Sequence, residues 1–335
     1  MRGWLAIGLL ILISASCGGR ALTAAKMYME RGEWEAAEAQ LEEAALRDPD
    51  NPAVYYWLGE LYGRTGRWGD MASVLSRAEE LDPKGWGRKA LELRRRYWVE
   101  VYNLGVDRAK DGDLEGATKA FLEAIGIDST RVEAYKNLGF CRYKLGDVDG
   151  AIRAYEDASS VAPDDVEVWV RLGILWIQKG EHDRAAECIR HGVAIDPTDS
   201  QLWLHLASVY SRVGRTEEAI GAYERASRLD PRNEDIWYNL GVLYTQREEF
   251  EAAAQCYRKA LELCPDDADA RMNLAVLYVY YLERWDDALP LLLRLVEQEP
   301  ESREVWEMLR VVYVRKGMAE EAKEAYRRVQ ELRKK

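Results

Sequence analysis

The apolar positions of the chain repeat as one figure. An aromatic residue stands three places before a Leu-Gly or Leu-Ala pair, as in Tyr55 with Leu58-Gly59, Tyr135 with Leu138-Gly139, Trp169 with Leu172-Gly173, Trp203 with Leu206-Ala207 and Trp237 with Leu240-Gly241. Further on, a small residue falls four places before a large one, as in Ala117 with Phe121, Ala151 with Tyr155, Ala219 with Tyr223 and Ala253 with Tyr257. Spacings of three and four put residues on one face of a helix, so each figure predicts a pair of helices. A small residue in each lets the two axes approach closely, and the aromatic fills the space beside them. Met71 is the bulky exception among the small positions of the second helices.

Glycine and proline punctuate the pairs. Gly32, Gly66, Gly112, Gly146, Gly180, Gly214 and Gly317 are placed to end the first helix in the left-handed conformation that other residues resist. Pro49, Pro83, Pro163, Pro197, Pro231, Pro265 and Pro300 close the second helix, in steps of 34 residues apart from a last step of 35 and the interval after Pro83. A period of 34 residues means stacked helix-turn-helix units. In this period and these positions the chain resembles the tetratricopeptide-repeat family. The resemblance covers nine copies that begin near 18, 52, 98, 132, 166, 200, 234, 268 and 303, and it implies an all-α solenoid wound as a right-handed superhelix.

The expected organisation is a leader over 1–16, two units over 17–85, a basic insert over 86–97 and seven units over 98–335. Departures from the family pattern are few. Ser129 replaces a proline, Glu248 replaces a hinge glycine, and the eighth unit carries one extra residue within Tyr278 to Glu283. The insert concentrates Arg88, Lys89, Arg94, Arg95 and Arg96 in an acidic protein. Its Ala90-Leu91-Glu92-Leu93 core predicts a helix that lengthens the first helix of the third unit, with the basic residues on a solvated face.

The leader has Arg2, an apolar run from Trp4 to Ile13, then Ser14-Ala15-Ser16 directly before Cys17. The run falls short of the roughly 20 apolar residues that a spanning helix needs, so it reads as a secretory signal. Small residues followed by cysteine resemble the lipobox of bacterial lipoproteins, although Ser14 stands where leucine is usual. The resemblance implies acylation of Cys17 and a lipid-anchored protein of the cell envelope, on the outer membrane or the periplasmic side of the inner membrane. An uncleaved anchor on a cytoplasm-facing scaffold is the alternative, and an accessory subunit of an envelope enzyme complex is a second.

Composition narrows the chemistry. The net charge is -12, and a nucleic-acid partner calls for a basic surface. The three histidines, His182, His191 and His205, and the five cysteines show no ligand spacing, so neither a metal nor any other cofactor is expected. Neither a phosphate loop nor a nucleophile elbow interrupts the repeats, which points to a binding protein and away from an enzyme.

By the family resemblance, the first helices line the inner groove of the superhelix, where peptides or partner helices are held. The sixth residue of each unit faces that groove, and in consecutive units it is Asn103, Asn137, Arg171, His205, Asn239 and Asn273. Asparagine amides both donate and accept, so such a ladder can pair with the backbone of an extended peptide. Tyr102, Lys136, Phe140, Tyr143 and Tyr238 are expected beside it as anchors. A carboxylate clamp for acidic tails is disfavoured, because only Asn137 and Arg171 match its pattern.

Overall fold

A computed structural model describes residues 19–333, so Cys17 and the leader lie outside the described residues. The chain divides into two compact units, Met1–Val168 and Trp169–Lys335. The described part of the first contains α1 (19–31), α2 (Trp34–Arg47), α3 (Pro52–Arg64), α4 (Trp68–Leu81), α5 (Trp86–Lys110), α6 (Leu114–Ile127), α7 (Val132–Lys144) and α8 (Val148–Val161). The second contains α9 (Val166–Gln178), whose first turn precedes the division, and α10 (His182–Ile195), α11 (Ser200–Arg212), α12 (Thr216–Leu229), α13 (Glu234–Gln246) and α14 (Phe250–Leu263). It ends with α15 (Ala268–Val276), a π-helical turn (Leu277–Tyr281), α16 (Trp285–Gln298), α17 (Arg303–Arg315) and α18 (Ala319–Leu332). No strand occurs among the described residues, and the expected all-α repeat of paired helices is the fold.

Local chemistry explains the boundaries. The side chains of Asn51, Asp199, Asn233 and Asp267 accept from backbone N–H groups at the start of α3, α11, α13 and α15. The first helices end at glycines with φ between 72° and 85°. Glu248 and Glu283 take the same left-handed turn at φ 60° and 51° without the benefit of a missing Cβ. The extra residue of the eighth unit is absorbed by the π turn, where Leu282 N–H donates to Leu277 C=O five residues back.

Packing within each pair follows the small-residue rule. A Cβ added at Gly139 would come within 2.6 Å of the Tyr155 ring, and one at Gly241 within 2.7 Å of Tyr257. The aromatic at the fourth place of a unit does more than fill space. Tyr55 and Tyr135 donate through their hydroxyls to the carbonyls of Pro49 and Ser129, at 2.9 and 3.2 Å. Trp203, Trp237 and Trp306 donate through Nε1 to Pro197, Pro231 and Pro300, each at 3.0 Å. In the eighth unit Arg271 stands at this place, buried, and its guanidinium reaches Pro265 C=O and Gln298. Each latch ties the start of one hairpin to the carbonyl that ends the previous one, and so gives a backbone acceptor its partner.

The insert changes the stack. Residues 86–97 form the first three turns of α5, a 25-residue helix. Tyr97 lies so close to α3 that a Cβ on Gly63 would come within 2.3 Å of its ring. Gly63 and Tyr97 are 34 residues apart, the repeat period, so 86–97 occupies the place of a first helix after the second hairpin. The chain then omits a turn and a second helix and continues straight into the first helix of α5–α6. Twelve residues of helix are about 18 Å long, so the α5–α6 hairpin begins that far along α5.

The basic insert keeps the expected solvated face at four of its five basic residues and departs from it at Arg94. The Arg94 side chain is 14% exposed and spans three helices, donating to Glu79 (2.9 Å), Ser76 Oγ (3.1 Å), Ala72 C=O (3.2 Å) and Ile127 C=O (3.2 Å). Arg96 pairs at 2.6 Å with Glu60, a buried carboxylate also held by Arg64 at 2.8 Å. Arg88, Lys89, Arg95 and, despite its ion pair, Arg96 are exposed.

Candidate functional site

In the first unit, the expected binding residues fall on α5 and α7. Tyr102 is half-buried, stacked on Trp98 at 4.6 Å and tilted against Phe121 at 5.7 Å. Burial pushes its hydroxyl above the ordinary tyrosine pKa, against the opposing effect of its hydrogen bond with Asn137. Asn137 Nδ2 donates to the Tyr102 hydroxyl at 2.8 Å and to Glu133 C=O at 3.1 Å. Lys136 binds Asp165 at 3.0 Å and also Glu167. Burial works against its charge, yet the two carboxylates hold its pKa above the usual lysine value. Asn103 is exposed on α5.

Phe140 and Tyr143 differ from these. They lie one turn apart on α7, 43% and 40% exposed, with the Lys144 ammonium 5.6 Å from the Phe140 ring. Together they form an aromatic surface with a cation at its edge.

In the second unit, Asn273 Nδ2 donates to the Tyr238 hydroxyl at 3.4 Å, across the same 35-residue separation as Asn137 and Tyr102. Tyr238 packs edge-on to Tyr257 at 5.9 Å. Asn239 donates back to Asp235 C=O at 2.7 Å. Arg171 is exposed on α9, and His205 is half-buried on α11. The asparagines thus depart from an open ladder, because three of their amide groups already donate within the protein. An amide so placed fixes a tyrosine ring or its own helix turn before it can meet a peptide.

The chain also holds a signal that the Leu-Gly pattern hides. At the third place of a unit, Val54, Ala134, Leu202, Ile236, Ala270 and Val305 are buried, and at the tenth so are Leu61, Cys141, Val209, Leu243, Leu277 and Val312. In the third unit these places hold Glu100 and Asp107, both exposed. Leu104, the leucine of this unit's Leu-Gly pair, is 46% exposed, whereas Leu58, Leu138, Leu206 and Leu240 are 2–4% exposed. The first unit, which has no described hairpin before it, shows the same thing at Arg20 and Met27.

Among the described residues no three metal-ligating side chains converge, and no helix is long and apolar enough to cross a membrane. Cys141, Cys188 and Cys256 are buried thiols, and burial pushes Cys256 up to about 12, away from nucleophilic chemistry.

No curated protein matches the chain. Solved structures overlap it in part. The crystal structure of MamA protein matches at 27% identity over 52% of this chain and 94% of its own, with a TM-score of 0.47. The crystal structure of YrrB, described as a TPR protein with an unusual peptide-binding site, matches at 22% identity over 55% and 94%, with a TM-score of 0.47. PilF of Pseudomonas aeruginosa matches at 19% identity over 64% and 97%, also with a TM-score of 0.47. A TPR-repeat model matches residues 25–66. A second model, for the Cilia and flagella-associated protein 70 C-terminal domain, matches residues 103–335, more than half of the chain. The chain therefore belongs to this tetratricopeptide-repeat family, the one described as Cilia and flagella-associated protein 70 C-terminal domain.

Proposed function

We propose that the chain is a protein-interaction scaffold, tied to a bacterial envelope membrane by a lipid on Cys17, that holds peptide or helical segments of partner proteins against the first helices of its repeats. The observation that carries the binding reading is the pair Phe140 and Tyr143. Aromatic side chains one turn apart stay exposed on α7, while Tyr135 on the same helix is buried. Such rings bury large apolar area at small entropic cost when a partner arrives. Asn137 holds the neighbouring Tyr102 ring in place and so supports the surface.

The test begins with proximity labelling to identify a partner. Replacing Phe140 and Tyr143 together by alanine is expected to weaken its binding by about 2 kcal/mol, roughly 30-fold, with unchanged helicity. A doubly substituted chain that folds and binds its partner as the wild type does overturns this placement.

Anchoring is supported by the leader, where small residues run directly into Cys17. Two or more acyl chains would hold the chain firmly, at about 0.8 kcal/mol per buried methylene. Cys17→Ala is expected to abolish incorporation of a palmitate analogue; equal labelling of both proteins refutes the anchor.

A further inference from the structure

The long helix α5 leaves a stacking face without its partner. Arg96, Glu100, Leu104, Asp107 and Asp111 recur at spacings of three and four along one side of it, and all five are exposed, Arg96 while pairing with Glu60. In the other units that follow a hairpin this is the side against which that hairpin packs, and the third, seventh and tenth places are apolar and buried. Here α3 stops at Arg64, and α5 runs on past it to Lys110. The corner between them is a cavity of about 850 Å³, walled by Trp34, Trp68, Glu60, Arg64, Arg96 and Glu100. Glu100 belongs both to this notch and to the stripe, so the two form one surface.

We infer that this surface of α5 docks a basic amphipathic helix of a partner protein. The shape required is helical, since elsewhere in this chain the equivalent face receives helices. The charge required is positive, because Glu100, Asp107 and Asp111 flank the single apolar residue Leu104. Asp107 is engaged only by Lys110 in an exposed pair at 3.2 Å, an interaction worth little in water. A partner helix with one leucine facing Leu104 and lysines or arginines beside it meets both demands, and its end can place a side chain between Trp34 and Trp68 in the notch. This site is separate from the Phe140 and Tyr143 surface on α7.

The experiment uses the full chain and a labelled synthetic helix with a leucine stripe flanked by lysines, alongside its glutamate-flanked counterpart. Fluorescence anisotropy is expected to show binding of the lysine peptide and none of the glutamate peptide. The paired substitution Leu104→Ala with Asp107→Lys should weaken that binding about tenfold. Glu115→Lys on the exposed side of α6 changes net charge by the same amount as Asp107→Lys and should leave binding nearly unchanged, as should Phe140→Ala with Tyr143→Ala. Equal loss from Glu115→Lys means attraction to overall negative charge and overturns the site. Binding that survives the Leu104 and Asp107 changes overturns it too. Sedimentation that shows a dimer of the wild type, split by Leu104→Ala with Asp107→Lys, replaces the partner helix by a second copy and overturns the assignment.

Discussion

Replacing Arg94 by alanine is expected to destabilise the protein by about 2–3 kcal/mol. The guanidinium joins α5 to α4 through Glu79, Ser76 and Ala72, and to the end of α6 through Ile127, while 14% exposed. Its removal leaves the Glu79 carboxylate without a cation, and deleting one partner of a buried pair commonly costs about 3–5 kcal/mol. Glu79 is 26% exposed and can recover water, which lowers the figure. Arg94→Lys should restore only part of the loss, because one ammonium cannot span the fork of a guanidinium. Urea denaturation checks the magnitude, and hydrogen exchange should locate the opening in residues 86–97. Arg88→Ala is the control, since this side chain is exposed and its loss should fall within about 0.5 kcal/mol. Equal effects of the two substitutions would mean that the insert is an ordinary solvated helix.

The second large effect is expected at Ala219, which is wholly buried on α12 where that helix packs on α11. Ala219→Leu adds three carbon atoms where the helices have no room, and overpacking of this kind costs roughly 1–3 kcal/mol. Leucine matches alanine closely in helix propensity, so the loss reports packing and not helix formation. The damage should stay near its hairpin, because a repeat touches mainly its neighbours. Hydrogen exchange should show lost protection in α11 and α12, with the α1–α4 hairpins unaffected. Unchanged stability would show that the small residues of the second helices do not limit the approach of the axes.

The helix pairs, their hinges and the family could be read from the chain because each depends on local chemistry. Gly146 takes a left-handed turn that most residues resist, and Leu138 with Tyr135 marks a buried helical face whatever surrounds it. Leu104 stands in the same Leu-Gly pattern and is nevertheless 46% exposed, since burial depends on a neighbouring hairpin as well as on the helix that carries the residue. Glu100 and Asp107 carried that information in the sequence, and only the position of α3 beside Tyr97 shows what they mean. The residues proposed for binding divide in the same way. Phe140 and Tyr143 could be picked out from their places in the repeat, and both are exposed. The amides of Asn137 and Asn273 could not be assigned from the chain, because their hydrogen-bond partners, Tyr102 and Tyr238, lie 35 residues away and meet them only when consecutive hairpins stack. Helix periodicity and turn chemistry act over a few residues and are written in the sequence, whereas which polar groups and which faces remain free is decided by long-range packing.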